Sequence, residues 1–586
     1  MYDEDMVTVF HFYVCVLHIF LFFLHKRQRF MTIFDKKSYV DTTILYKGHQ
    51  HKLEAFAEQY KTVKGEIVLS RSNDEAMTLR STTTYKAACV RITNPFDDII
   101  HLNTKAKTVR VGAMITMGKL MNYLYPLGYA LPVVPEFKSL TVGGLIAGAG
   151  LESSSVHYGL FPLQCKEYTV VLGNGEIRKV TEETDPILFS ALPLSYGTLG
   201  TIVDVVMTII KVKPNVTLQC ITIKHYAKVQ QVLETILKDT SGYDFIEGII
   251  YHKTKTVIIK GVFTDTLVYP VIHPVTWYDP YFYQSIEQNV DEGKDVCTMN
   301  LLDYYFRHDR GSFWLLKHIM GDNKLCRGVN PFVNHASDKN IVLQPIMNGI
   351  LKCRQIEIQD SVVPLSKTQS ILEFAEAEYA IYPIWLCVCR NVDATLRQKT
   401  IMYKLLKSLS LKEKEGLTML ITNKKHRKIL EILLELSETM NCEEIIKYIK
   451  QYKEFFYTDQ VDSLIEELSK DIAMSDKITK IISAVQLKTS FLGLLQSTSL
   501  EDFYVDIGIY GCSHKVRDKD KLLEQLEKMT YNKEGYMGQY AVTTLSREQF
   551  EDMVLKKDWY SYVRKKYHAE GRFPDIYDKL GGITKK

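Results

Sequence analysis

Arg307, His308 and Arg310 fall inside one octapeptide, Asp303-Tyr-Tyr-Phe-Arg-His-Asp-Arg310, at the end of a stretch crowded with aromatic rings. Charged groups in apolar surroundings must be paired or have chemistry to perform. One reading is a structural Arg–Asp pair within the segment. The other is that His308 supplies or relays a proton while Arg307 and Arg310 position groups around it. A second proton-donor candidate is Tyr510, in Tyr504-Val-Asp-Ile-Gly-Ile-Tyr510. Read as a strand, that heptapeptide puts Tyr504, Asp506 and Tyr510 on one face. A tyrosine hydroxyl satisfied by backbone is the plainer alternative.

A different chemistry is written in LPVVPEFKSLTVGGLIAGAGLESSSVHYGLF, residues 131–161. Gly143, Gly144, Gly148 and Gly150 crowd together between prolines and a serine run, and small residues let main-chain N–H groups approach a ligand closely. Thr141 is placed to cap a helix starting at Val142 or Gly143, which would aim free amides at an anion such as a pyrophosphate. The competing reading is a tight helix–sheet crossing that needs small residues. The spacing is not the G-x-G-x-x-G of a dinucleotide-binding βαβ unit.

Several elements must hold these groups. Val109–Ala113 reads as a strand, and Met117–Tyr125 as a helix with Thr116 as N-cap and Gly128 as its stop. Val170 to Val180 reads as a hairpin turning at Asn174-Gly175. Gly197 and Gly200 lead into an apolar strand, Ile202 to Ile210. Lys213-Pro214 marks a boundary, after which the segments at 221–226, 245–251 and 257–263 read as strands of a second domain. The rings between Val268 and Trp314, among them Tyr269, Trp277, Phe282, Tyr304 and Phe313, suit an aromatic core, walls for a flat apolar ligand, or a surface resting on a bilayer.

Glycine loop, hairpin and second glycine pair, in that order, resemble the flavin-binding domain shared by vanillyl-alcohol oxidase and p-cresol methylhydroxylase. LTVGGLIAGAGLESSS with YGLF, then SYGTLG, FIEGIIY, YYFRH, YPIWLC and YVDIGIYG, together resemble the delta(24)-sterol reductase family (Diminuto or seladin-like) from about Lys107 to Lys579. The resemblance implies an α+β architecture. A two-subdomain FAD-binding domain of the p-cresol methylhydroxylase type (residues 31–214) would precede a substrate domain with an antiparallel sheet (215–391 and 503–586). It implies FAD as bound carrier and NADPH as electron source for reducing the 24,25 side-chain double bond of a sterol. The residues expected to hold FAD are Thr141, Val142, Gly143, Gly144, Leu145, Ile146, Ala147, Gly148, Ala149, Gly150, Leu151, Glu152 and Ser153, with Gly197 and Gly200. One departure is that relatives carry glycines in a turn after the first strand, where this chain has Leu69-Ser-Arg-Ser-Asn73; Arg71 or Ser72 would contact phosphate there, or the turn is simply exposed.

Composition limits the rest. Lys plus Arg exceed Asp plus Glu by 73 − 69 = 4 across 586 residues, which gives no electrostatic case for nucleic acid. The 11 cysteines show no C-x-x-C pair, so neither a disulfide framework nor a metal site is expected. Val7–Leu24 is a run of 18 mostly apolar residues, ~27 Å as a helix, flanked by acids before and Lys26, Arg27 and Arg29 after. It reads as a single-pass membrane anchor (residues 1–30) with the body in the cytosol; a cleaved signal peptide and a buried helix are the rivals. An endoplasmic-reticulum address comes only from the resemblance. Residues 392–502 separate strings that lie close together in the family, and their helical periods read as an inserted bundle: a partner-binding module, a spacer, or an error in deriving the chain from its gene. Two further functions stay open at this level: an oxygen-using FAD oxidase of the same superfamily, and a membrane-tethered sterol-binding scaffold that has lost flavin.

Overall fold

The computed structural model describes residues 42–71, 89–273, 279–323, 356–390, 500–513, 518–538, 543–555 and 557–580. The Val7–Leu24 anchor, Ser72 and Asn73 of the departing turn, Trp277, and residues 392–499 lie outside them. Among the described residues no helix is long and apolar enough to cross a membrane.

The first domain begins with the Thr42–Thr62 helix. Leu53, Phe56, Ala57 and Tyr60 recur at helical spacing and bury one face against β1 (Ile67–Arg71) and β2 (Val90–Asn94), which pair in parallel. β3 (Ile99–Asn103) and β4 (Thr108–Gly112) form a hairpin leading into the Met117–Leu124 helix. Thr116 caps that helix by accepting from Lys119 N–H at 3.3 Å, and Gly128, at φ 76°, closes the turn behind it. After β5 (Tyr129–Ala130) come β6 (Cys165–Val171), β7 (Ile177–Val180), β8 (Thr201–Thr208) and β9 (Ile210–Lys211). The order β3-β4-β8-β6-β7 makes an antiparallel five-stranded sheet. Its β6–β7 turn is the expected Asn174-Gly175 corner, with Gly175 at φ 83°.

The second domain is a nine-stranded sheet. Its strands are β10 (Asn215–Ile223), β11 (Phe245–His252), β12 (Lys255–Thr264), β13 (Val271–Ile272), β14 (Val296–Asn300), β15 (Ile356–Pro364), β16 (Ile384–Arg390), β17 (Phe503–Cys512) and β18 (Tyr536–Met537). They lie in the order β13-β14-β10-β12-β11-β16-β17-β15-β18, antiparallel except between β13 and β14. Both faces are covered, so the central strands read as continuous apolar runs instead of alternating ones. One face, with Ile246, Ile258, Leu386 and Ile507, packs under Leu233, Ile371 and Leu526 from three helices. The other face, with Phe245, Ile249, Trp385, Cys387 and Tyr510, shares a core with Val142, Ile146 and Phe161 of the first domain. That second face is therefore the boundary between the domains. Removing one such Leu, Ile or Phe side chain from water is worth about 1.5–3 kcal/mol, and many of them join the two halves.

β16 and β17 are neighbours in the sheet, down to the pair Arg390↔Phe503. Residues 391–502 thus leave and re-enter the fold at adjacent strand ends, where two antiparallel strands need only a tight turn. β16 and β17 pair as neighbouring antiparallel strands whatever lies between them in sequence.

The chain's end lies elsewhere than expected. Residues 503–586 read from sequence as substrate domain throughout, but the 557–580 segment lies back across the first domain. Arg572 donates to the carbonyls of Gly173 (2.7 Å), Val63 (2.7 Å), Gly65 (2.9 Å) and Tyr60 (2.5 Å). Arg564 donates to Thr198 O at 2.9 Å, and Tyr567 to Asp185 at 2.6 Å. A guanidinium has five N–H donors and no acceptor, so a cluster of loop-end carbonyls is a natural seat for it.

Candidate functional site

Glu247 is the polar residue in the otherwise apolar buried run of β11, and such a group needs a partner. It has three: Arg307 Nε donates to Oε1 at 2.7 Å, while His308 Nε2 (3.1 Å) and Trp385 Nε1 (3.0 Å) reach Oε2. Arg307 turns the rest of its fork on Glu152, Nη1 to Oε2 and Nη2 to Oε1, both 2.8 Å. A further bond runs from Nη1 to Tyr304 O at 2.9 Å, and the Tyr304 ring faces the guanidinium at 4.2 Å. This is the bidentate geometry that distinguishes Arg from Lys. It links the glycine stretch of the first domain to the sheet of the second.

Burial works to raise the Glu247 carboxyl, but Arg307 and the His308 bond outweigh it and hold Glu247 well below the usual carboxylate range. For Glu152 burial wins over the pull of Arg307 and pushes the carboxyl up. Two carboxylates share one cation, and Glu247 is the better compensated. Burial, then the Arg307 charge beside it, push His308 down to about 4, so the ring is neutral near pH 7. An ionised carboxylate can only accept, which puts the His308 proton on Nε2. The ring also stacks on Phe313, centroids 4.2 Å apart.

The sequence-level reading of the octapeptide is corrected here. Arg307 does not pair within its own segment; its partners lie on Glu152 and on β11. His308 spends its N–H on Glu247. Arg310 does not join them: Nη2 donates to the carbonyls of Asp279 and Pro280, both 2.6 Å, clamping the turn before the Phe282–Asp291 helix. The surrounding rings, Tyr281, Phe282, Tyr304, Tyr305, Phe306, Phe313 and Trp314, are buried against one another, whereas Tyr269 is 81% exposed. Glu152 entered the sequence reading only as part of the glycine stretch, and Glu247 not at all. A lone carboxylate inside FIEGIIY was the available signal for the latter.

Tyr510 lies on the same sheet face, 4.9 Å from the Phe313 ring, with its hydroxyl donating to Asp360 Oδ1 on β15. Asp360 was not legible in the sequence. Burial, offset in part by this hydrogen bond, pushes its carboxyl up to about 7.

The glycine stretch folds as the Val142–Gly148 helix, capped by Thr141 Oγ1 accepting from Gly144 N–H at 3.3 Å. Its leading amides are not free: Val142 N–H donates to Ile115 O (3.1 Å) and Gly143 N–H to Ala113 O (2.7 Å). Bonded amides cannot grip a phosphate, so the expected anion site at this terminus is corrected. At Gly143 a Cβ would stand 3.0 Å from both the Cβ and the backbone oxygen of Ala113, and at Gly150 one would stand 2.6 Å from the Leu145 Cδ2 methyl, which would have to move. At Gly200 a Cβ would meet Val170 at 2.7 Å, again a packing constraint. The helix–sheet crossing accounts for those positions. It does not account for Gly148, where a Cβ would meet no atom within 4 Å. Gly144, Ala147 and Gly148 share one helix face, Gly144 exposed and the others half-buried. Tyr196 N–H donates to Ala147 O at 3.1 Å, which fixes the second glycine loop beside that face, and Gly197, at φ 68°, turns there. Leu145, Ile146 and Ala149 point into core, while Leu151 packs half-buried. Ser153 carries a hydrogen bond from Tyr304 at 3.2 Å.

Comparison with known proteins agrees with the resemblance. The FAD binding domain family matches residues 57–181. The chain is 31% identical over 414 residues to the Delta(24)-sterol reductase homolog of Caenorhabditis elegans, covering 66% of this chain and 78% of that protein. It is 33% identical over 300 residues to the human Delta(24)-sterol reductase, and 32% over 317 residues to that of Arabidopsis thaliana. Those two alignments cover 50% of this chain and 57% and 55% of the relatives. The residues present fit a flavin in one respect: on the face formed by Gly144, Ala147 and Gly148 the side chains are small or absent, and at Gly148 the protein's own packing leaves the space beside the main chain open. With that face, the antiparallel flavin-type sheet and the match to the nematode protein, the chain belongs to the delta(24)-sterol reductase family.

Proposed function

We propose that this protein reduces the 24,25 side-chain double bond of a sterol, with FAD as bound carrier and NADPH as electron source. The observation supporting it is the nematode alignment, which spans 78% of that relative, too much to be a shared flavin domain alone. When bound, FAD supplies hydride transfer. The face of Gly144, Ala147 and Gly148, with Gly197 beside it, would let a flat group lie against main chain. The Arg307 fork holds Glu152 to Glu247 and so fixes the two domains relative to each other. Phe313, Trp314 and Trp385 keep that boundary apolar, which excludes water from the reaction. An isolated alkene has no carbonyl to polarise, so hydride addition at one carbon requires a positioned acid for the other. His308 is poorly suited, being neutral with its N–H committed to Glu247. Arg307 and Arg310 serve geometry. Val7–Leu24 would hold the protein to the endoplasmic-reticulum membrane, next to an apolar substrate.

The test is direct. Purify the full chain in detergent, record flavin absorbance, add NADPH without oxygen, then a 24-unsaturated sterol. Bleaching followed by sterol-driven recovery of colour is the expected result. Peroxide formation without need of NADPH would indicate an oxidase. A second reading, a sterol-binding scaffold without flavin, draws support from the internally bonded amides of Val142 and Gly143. It predicts a colourless protein that FAD does not reconstitute.

A further inference from the structure

Asp506 lies on β17 in the middle of the sheet face that meets the first domain, opposite Cys387 of β16 and Val362 of β15. It is 2% exposed, and its Oδ1 has no hydrogen-bond partner. Two positions on, Gly508 faces Asp360 across the strands. Two further, Tyr510 folds back over Gly508, where a Cβ would collide with its hydroxyl. Asp506, Asp360 and the Tyr510 hydroxyl are therefore gathered around one glycine. Ala149 and Leu151, at the end of the flavin cradle, pack with Tyr504, Val362 and Cys389 of the same sheet face.

Among the described residues, the carboxyl groups facing this place come from several elements. Glu136 comes from the loop before the Val142–Gly148 helix, Glu152 from the loop after it, Glu247 from β11, and Asp360 and Asp506 from β15 and β17. Cys387, Cys389, Tyr510 and Tyr536 lie around them, all with burial opposing their ionisation, and Tyr504 packs on the same face. Among the described residues Arg307 is the cation that faces them, and it is committed to Glu152 and Glu247; His308 is neutral. Buried carboxyl groups in excess of cations retain protons. Burial pushes Glu136 up to about 8 and Asp360 up to about 7. Burial and then the neighbouring Asp360 push Asp506 well above the carboxylate range.

We propose that Asp506 is the catalytic acid that protonates the alkene carbon not attacked by hydride, with Asp360 and Tyr510 as positioning residues behind it. This rests on the reductase reading above. The two electrons of the π bond capture the Asp506 proton and form one C–H bond. The hydride from the two-electron flavin donor brings the electron pair of the other. Asp506 is left as a carboxylate and recovers its proton from water after product departs. A carboxylic acid suits the task better than Tyr510, because an alkene is a weak base and the Tyr510 O–H is already given to Asp360.

The test uses the FAD-loaded full chain and the Asp506→Asn variant. Reduction by dithionite requires no acid and should be unchanged. Sterol-driven reoxidation should fall by about 10²–10⁴-fold, the range for loss of a general acid. Reoxidation within about threefold of the parent would overturn the assignment. An independent readout needs neither substrate nor flavin turnover: the infrared carbonyl stretch of protonated carboxyl groups at pH 7, to which Glu136 also contributes, should lose one component in Asp506→Asn, and that component should persist in Glu136→Gln. Identical carbonyl bands in the parent and in Asp506→Asn would equally overturn the proposal, even if the variant binds no flavin. A parent enzyme that sterol cannot reoxidise removes the reductase reading and this proposal with it, and the infrared band still tells whether Asp506 holds a proton.

Discussion

Replacing Arg307 by Leu removes the cation between Glu152 and Glu247 and leaves two buried carboxyl groups without it. The side chain makes four hydrogen bonds of 2.7–2.9 Å and is fully enclosed. Breaking a buried pair by deleting one partner costs about 3–5 kcal/mol, because a charge is stranded in a medium that solvates it poorly. The expected loss at pH 8 lies in that range. The pH dependence gives the sharper check. In the parent, Glu247 is held low, so its contribution is present above its unfolded pKa, roughly 4.3, and is lost as pH falls through the folded value. In Arg307→Leu both carboxyls rise, the folded state binds more protons than the unfolded one, and stability falls as pH increases. The penalty should therefore be larger at pH 8 than at pH 5. Urea unfolding followed by tryptophan fluorescence reports it, since Trp385 and Trp314 lie in this interface. A loss under about 1 kcal/mol at pH 8, or equal losses at both pH values, would refute the claim that this pair is desolvated and holds the domains together.

Gly148→Ala should leave the flavin-free protein as stable or more so by about 0.5–1 kcal/mol, from helix propensity, while weakening FAD binding at least tenfold in a titration. Gly143→Ala should show the reverse order of effects, destabilising the apoprotein by about 1–3 kcal/mol through its contact with Ala113, as seen in thermal unfolding. His308, held at about 4, takes up a proton on unfolding below pH 6.5; stability should fall as pH drops from 6.5 towards 4, by up to about 3 kcal/mol, and His308→Gln should flatten that slope in pH-resolved urea melts. Arg572→Ala strips four carbonyls of their donor and should expose the 557–580 segment to limited proteolysis; a cleavage pattern identical to the parent would contradict its docking on the first domain.

Local signals in the sequence were enough for the elements and their kind. Thr116 and Thr141 announce helix starts because a hydroxyl accepts a neighbouring amide wherever the chain turns into a helix. Asn174-Gly175 announces its hairpin because the turn needs residues at positive φ. The ordered family strings carried the resemblance to a flavin family, and β16 and β17, which hold two of those strings, are neighbours in one sheet. What the sequence could not give is which groups meet across the domain boundary. Glu152 reaches Arg307 over 155 residues, Asp360 reaches Tyr510 over 150, and Arg572 reaches Gly173 over 399. No periodicity records such distances. The same limit governs the glycines: Gly143 and Gly148 look alike in a string, and only packing makes one a spacer against Ala113 and the other an open surface. Charges and small residues take their meaning from what surrounds them, because burial sets both the cost of an ion and the room for a Cβ.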